Sequence, residues 1–168
     1  MNFVKQYGTT VLLLIGVVGF YVWRSRPPEV PEGKVPAIEV ALLAGERLDL
    51  SKETKPRAVV FWATWCGPCT VELRRLQAMI DRKQIEPQSV VAISSGEEAA
   101  VVQKEIEERK YTFTVALDRE GAASRQLGVS ATPTIFLVEP GGKIHWSSVG
   151  VSPTLELRVA NFVNESKD

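Results

Sequence analysis

Residues 58–69 read Ala58-Val59-Val60-Phe61-Trp62-Ala63-Thr64-Trp65-Cys66-Gly67-Pro68-Cys69, and the reading of this stretch sets the fold class. Ala58 to Ala63 is an unbroken apolar run, the pattern of a strand buried on both faces of a parallel sheet. Directly after it, Cys69, Leu73, Leu76 and Ile80 recur at helical spacing, which predicts a helix over about Cys66–Arg82 with Glu72, Arg74 and Arg75 outward. A buried strand that runs into a helix through a Cys-x-x-Cys pair places both cysteines at a helix start. Cysteines three apart in that position lie within disulfide range without backbone movement. Cys66 meets the helix dipole and unpaired N–H groups, which favour the nucleophilic thiolate. Cys69, one turn inside and less exposed, can attack a mixed disulfide on Cys66 and release the product. Pro68 is tolerated because a first-turn N–H has no helical partner to lose. The pattern points to dithiol–disulfide chemistry rather than to inert core cysteines.

Working outward, Ile38, Val40 and Leu42 alternate with Glu39 and Ala41, and Ala44-Gly45 turns the chain toward Leu48 and Leu50, as in a hairpin. Val90–Ile93 predicts a second buried strand, and Glu97–Lys110 a helix with Ala99, Val102 and Ile106 inward. Phe113–Leu117 reads as strand, Gly121–Leu127 as a short helix and Thr134–Val138 as strand. Pro140-Gly141-Gly142 turns into a last strand over Lys143–Val149, before a helix carrying Leu155, Val159 and Phe162. Strands alternating with helices, then two strands joined by a tight turn, predict a three-layer α/β sandwich. Its mixed sheet has a parallel centre and helices on both faces.

The chain has 168 residues, 20 Lys+Arg balanced by 20 Asp+Glu, two cysteines and one histidine. A balanced charge offers no field for nucleic acid, and two cysteines with one histidine cannot complete a four-ligand zinc site. His145, Trp62, Trp146 and Phe136 read as surface-strand or packing residues, and Glu105, Glu107 and Glu108 as a solvated helix face. The ends of the chain differ in character. No acidic residue precedes Glu29, and Gln6–Trp23 carries no charge. At about 1.5 Å per residue that window is just long enough to cross a thin bilayer as a helix. Tyr21 and Trp23 close the window as interfacial aromatics, and Arg24 and Arg26 follow it. Residues 1–23 are read as an uncleaved transmembrane anchor rather than a signal peptide, because Phe20-Tyr21-Val22-Trp23 extends the apolar run past the small residues Val17 and Gly19. Residues 24–36, with Pro27, Pro28, Pro31 and Pro36, form a stiff linker, and 37–168 the folded domain.

The stretch Phe61 to Cys69, with Ala131-Thr132-Pro133-Thr134 far downstream, resembles the thioredoxin fold. The N-terminal anchor, the added hairpin and Val91–Glu98 opening an inserted helix are similar to the TlpA/ResA-like membrane-anchored thiol–disulfide oxidoreductases of bacteria. The resemblance spans about Pro36 to Phe162. It implies that Cys66 attacks and Cys69 resolves, with Gly67 and Pro68 completing the motif. Pro133 matches a cis-proline facing the cysteines, Thr132 offers backbone groups to a substrate segment, and Trp65 shields one side of the site. It implies no metal and no cofactor beyond the redox-active Cys66–Cys69 disulfide. General thioredoxins carry a buried Asp where this chain has Val60, and Glu97 matches a Glu that some relatives place near the site, where it can take the proton of Cys69.

The function the resemblance implies is reduction of disulfides in specific extracytoplasmic proteins, in cytochrome c maturation or copper-site assembly. Electrons would come from a membrane thiol reductase of the DsbD/CcdA type. The expected location is the bacterial inner membrane, with the domain facing the periplasm or cell exterior. The alternative from the residues themselves is a Cu(I) metallochaperone using the same two soft thiolates; against it, the only methionines are Met1 and Met79.

Overall fold

The structure is a computed structural model that describes residues 15–16 and 33–165. The anchor and linker expected over 1–36 therefore lie outside the described residues, apart from 15–16 and 33–36. Among the described residues, no helix is long and apolar enough to cross a membrane.

The elements follow in the order β1 (Glu39–Leu42), β2 (Arg47–Asp49), β3 (Arg57–Trp62), α1 (Gly67–Asp81), β4 (Val90–Ser95) and α2 (Ala99–Arg109). After them come β5 (Thr114–Asp118), α3 (Ala122–Gln126), β6 (Thr134–Val138), β7 (Ile144–Val149) and α4 (Leu155–Glu165). The strands form one sheet in the order β2-β1-β5-β4-β3-β6-β7. β3 lies parallel to β4, with Val60 opposite Ala92, and antiparallel to β6, with Val60 opposite Ile135. β4 and β5 are parallel, so the centre is parallel and the flanks antiparallel, as the strand pattern predicts. The added hairpin joins the sheet edge through β1 against β5.

Alternation along β3 explains why its run is apolar throughout. Ala58, Val60 and Trp62 face one core with Leu73 and Leu76 of α1, Val102 of α2, and Leu155 and Val159 of α4. Val59 and Phe61 face a second core with Ala123 of α3, Leu127 just after it, and Val35, Ile38 and Leu50 of the N-terminal region. That region is tied across the far turn by Val35 N–H donating to Gly142 O at 2.6 Å and Ile144 N–H donating to Gly33 O at 2.8 Å. Gly142 has φ +84°, and a Cβ there would stand 2.9 Å from Ser51 Cα, so only glycine lets the two segments meet.

Two expectations shift. The helix expected from Glu97 begins at Ala99, because Glu97 is turned back to accept the Thr64 N–H just past the end of β3. Glu72, expected on the outer face of α1, is fully buried. Its carboxylate accepts the Ser152 N–H and pairs with Arg75 Nη1 at 3.0 Å, so a partner 80 residues away draws it inward.

Candidate active site

β3 ends at Trp62, and four residues later Cys66 caps α1 in an extended conformation (φ −87°, ψ 99°). The chain turns there because Cys66 N–H donates to Ala63 O at 3.1 Å, and the helix opens as Thr70 N–H donates to Cys66 O at 3.2 Å. Cys66 and Cys69 are joined in a disulfide with a Cα–Cα distance of 5.2 Å. Cys66 Sγ also accepts the Cys69 N–H at 3.2 Å. This first-turn N–H faces Cys66 Sγ in the oxidised state, and the same contact kept on reduction favours thiolate at that sulfur. Cys66 is 5% exposed and Cys69 fully buried, so a partner disulfide can reach only Cys66. Gly67 and Pro68, both exposed, leave that approach open.

Opposite the pair, the Thr132–Pro133 peptide bond is cis. Cys66 Sγ lies 3.6 Å from Thr132 O. Two bonds hold this segment: Thr134 Oγ1 donates to Ala131 O at 2.7 Å, and Gly150 N–H donates to Pro133 O at 2.8 Å. Trp65 stands 77% exposed beside the pair. A groove of about 390 Å³ lies between Trp65, the Ser130–Thr132 segment and α3. Trp65, Cys66, Cys69, Thr132 and Pro133, scattered over 69 positions of chain, are thus gathered at one end of the sheet.

Glu97 also reaches this end. Its carboxylate accepts Thr64 N–H at 2.9 Å, Thr64 Oγ1–H at 2.5 Å and Ser94 Oγ–H at 2.7 Å. It therefore grips the turn two residues before Cys66. Glu98, its neighbour, is exposed and pairs with Arg119. His145 lies elsewhere, exposed on β7 with Nδ1 3.1 Å from Glu139 Oε1. Val60, where general thioredoxins carry Asp, is fully buried among apolar groups.

Sequence reasoning missed Thr64 and Ser94 as the anchors of Glu97, and it missed the buried Glu72. Arg75 extends the Glu72 pair, donating from Nη1 to Ser152 O at 2.7 Å and reaching Glu156 Oε1 at 3.4 Å. This network pins the chain just after Gly150, which in turn supports Pro133. A signal existed for Glu72: it lies three residues after Cys69 and four before Leu76, on the edge of the same helical seam.

The chain is similar to the thiol–disulfide oxidoreductase ResA of Bacillus cereus, with 29% identity over 80% of each chain. It is 25% identical to the sporulation thiol–disulfide oxidoreductase A of Bacillus subtilis, over 92% of this chain and 95% of that one. The crystal structure of StoA from Bacillus subtilis superposes with a TM-score of 0.63 at 24% identity, covering 75% of this chain and 99% of that chain, a likeness of fold. The family described as Redoxin matches residues 31–164. With a Cys66–Cys69 pair at the start of α1 facing a cis-proline, the chain belongs to the Redoxin family, as a thiol–disulfide oxidoreductase.

Proposed function

We propose that this oxidoreductase reduces disulfides in specific extracytoplasmic proteins, in work of the cytochrome c maturation or copper-site assembly type. It would be tethered to the bacterial inner membrane through residues 1–23 and recharged by a membrane thiol reductase of the DsbD/CcdA type. The observation that carries the catalytic part is the asymmetry of the pair. One sulfur is reachable and faces both a helix-start N–H and the Thr132 carbonyl, while the other is sealed beneath it.

In the reduced protein, the Cys66 thiolate attacks one sulfur of the substrate disulfide. A Cys66–substrate bond forms, and the first substrate thiolate leaves and takes a proton. Cys69 then gives up its proton and attacks Cys66 Sγ, forming the intramolecular disulfide and expelling the second substrate thiolate, which is protonated in turn. The substrate has gained two electrons and two protons, and the donor restores the protein dithiol. Thr132 and Pro133 present main chain to the incoming segment and Trp65 covers its flank. Glu97 has two separable tasks: it holds Thr64 in place, and it accepts the Cys69 proton.

The test is trapping. A Cys69→Ala protein expressed in its own cell should accumulate mixed disulfides through Cys66, and mass spectrometry of the captured chains names substrate and donor together. Capture of cytoplasmic proteins only would overturn the extracytoplasmic assignment. Absence of any mixed disulfide would overturn the division of roles between the two cysteines.

A further inference from the structure

The groove beside Trp65 is lined by Trp65 and Val129 on its apolar side, by Ser124 and Ser130, and by one charged side chain, Arg125 of α3. Arg125 is exposed, and its Nη1 donates to the backbone oxygen of Glu120 at 2.7 Å. No carboxylate lies within ion-pair distance of it among the described residues.

The nearby acids are committed elsewhere. Asp118, almost fully buried, accepts the N–H groups of Ala123 and Ser124 at 3.0 and 2.8 Å and the Ser124 hydroxyl at 2.7 Å, which fixes the first turn of α3. Glu97 is held by Thr64 and Ser94, and Glu98 by Arg119. The side chain of Glu120 lines a different hollow, beside Glu39 and Arg47. α3 is anchored on its inner side by Ala123, with Leu127 just after it. Arg125, held over the start of α3 by the Glu120 oxygen, therefore lies on one rim of the groove that Thr132 lines from the other side.

We infer that Arg125 makes this groove selective for a disulfide-bearing segment with an acidic side chain on the α3 side of its cysteine. The inference rests on the oxidoreductase reading of the Cys66–Cys69 pair and adds a charge preference to it. The chain has zero net charge, so the preference comes from this one local group rather than from the field of the whole molecule. An exposed pair of this kind changes affinity modestly, and swapping acid for base adds a repulsion to the lost attraction. The expected discrimination is about three- to tenfold in rate at low salt.

The experiment uses reduced full-length protein and synthetic peptides carrying one cysteine as its mixed disulfide with thionitrobenzoate. Cys66 attacks the peptide sulfur, forming a Cys66–peptide disulfide and expelling coloured thionitrobenzoate, whose release gives the rate. An Asp, Asn or Lys is walked from three residues before the cysteine to three after it. The expected order is Asp over Asn over Lys at alternate positions on one side only, since side chains of an extended segment alternate in direction. The preference should collapse in 0.5 M salt, vanish in Arg125→Gln and invert in Arg125→Glu. Neutral 2-hydroxyethyl disulfide, which has nothing to place in the groove, serves as the reference substrate. If the wild-type protein reduces it and the peptides but shows no charge preference, the inference fails while the oxidoreductase reading stands. Persistence of the preference in both Arg125 variants also overturns it. Inertness toward every disulfide would sink the parent reading instead.

Discussion

Replacing Glu72 by Ala tests whether the buried carboxylate holds the active-site helix to the segment behind Pro133. Glu72 is fully buried and Arg75 has 24% of its side chain exposed. Removing the carboxylate leaves the Ser152 N–H without its acceptor in a buried site, a loss of about 1–3 kcal/mol. Deleting one member of a buried pair costs about 3–5 kcal/mol when the survivor is stranded. Here Arg75 is not stranded, because it keeps Ser152 O at 2.7 Å and Glu156 at 3.4 Å and reaches water, so the total falls near the low end, about 3 kcal/mol. For a domain of this length the unfolding entropy is ~0.27 kcal/mol/K, so 3 kcal/mol corresponds to a fall in melting temperature of about 11 °C. Urea unfolding of the oxidised protein measures the free energy, and thermal melting checks the shift. Hydrogen exchange should show faster loss of protection at the Ser152 and Gly150 N–H groups than at β4, because the network anchors that loop and not the sheet centre. Arg75→Ala in the Glu72→Ala background should add less than it does alone, since the two share one network. A Glu72→Ala protein that loses less than about 1 kcal/mol, or that loosens β4 as much as Ser152, would refute the anchoring role.

Three further outcomes are expected. In the reduced domain Cys66 should alkylate well before Cys69 as pH is raised, with its thiol titrating below the free value of about 8.5; equal rates at both, read by mass spectrometry, would contradict the assigned roles. Glu97→Gln keeps one oxygen for Thr64 N–H but cannot accept a proton, so resolution of the Cys66 mixed disulfide should slow roughly 10²-fold or more with a near-normal melting temperature. Glu98→Gln should be unaffected, and a Glu97→Gln rate close to wild type would leave Glu97 only the task of holding Thr64. Far from the site, the Lys52 ammonium and the Ser51 hydroxyl hold the Asp49 carboxyl down to about 2 from its ordinary 3.8. A carboxylate depressed by folding stabilises above its unfolded value and loses that contribution as pH falls through its folded value. The wild-type advantage over Asp49→Asn in urea midpoint should therefore be full above about pH 4 and disappear toward pH 2; a difference that is constant with pH would refute it.

The sequence by itself determined the parts of this protein that depend on neighbours along the chain. An apolar run followed by helical spacing made β3 and α1 legible, and the cysteine pair at their junction, with its orientation relative to the helix start, followed from local geometry. The hairpin turn at Ala44-Gly45 and the strands around Pro140-Gly141-Gly142 were legible for the same reason. Pro133 and Thr132 were found by resemblance, since nothing local distinguishes a cis from a trans X–Pro bond. Tertiary structure alone decided which polar groups are paired, and with what. Glu72 sits on the edge of a helical seam, and whether that edge is covered depends on where α4 and Ser152 arrive, 80 residues later. Glu97 meets Thr64 only because β3 and β4 lie side by side in parallel, bringing together groups 33 residues apart. Arg125 has a groove to face only because α3 packs beside the Thr132 segment. The physical reason is one of range. Apolar burial repeats along the chain with the period of its helix or strand and can be read from it, whereas a buried charge or a directed hydrogen bond is settled by a single partner that the fold brings from a distance.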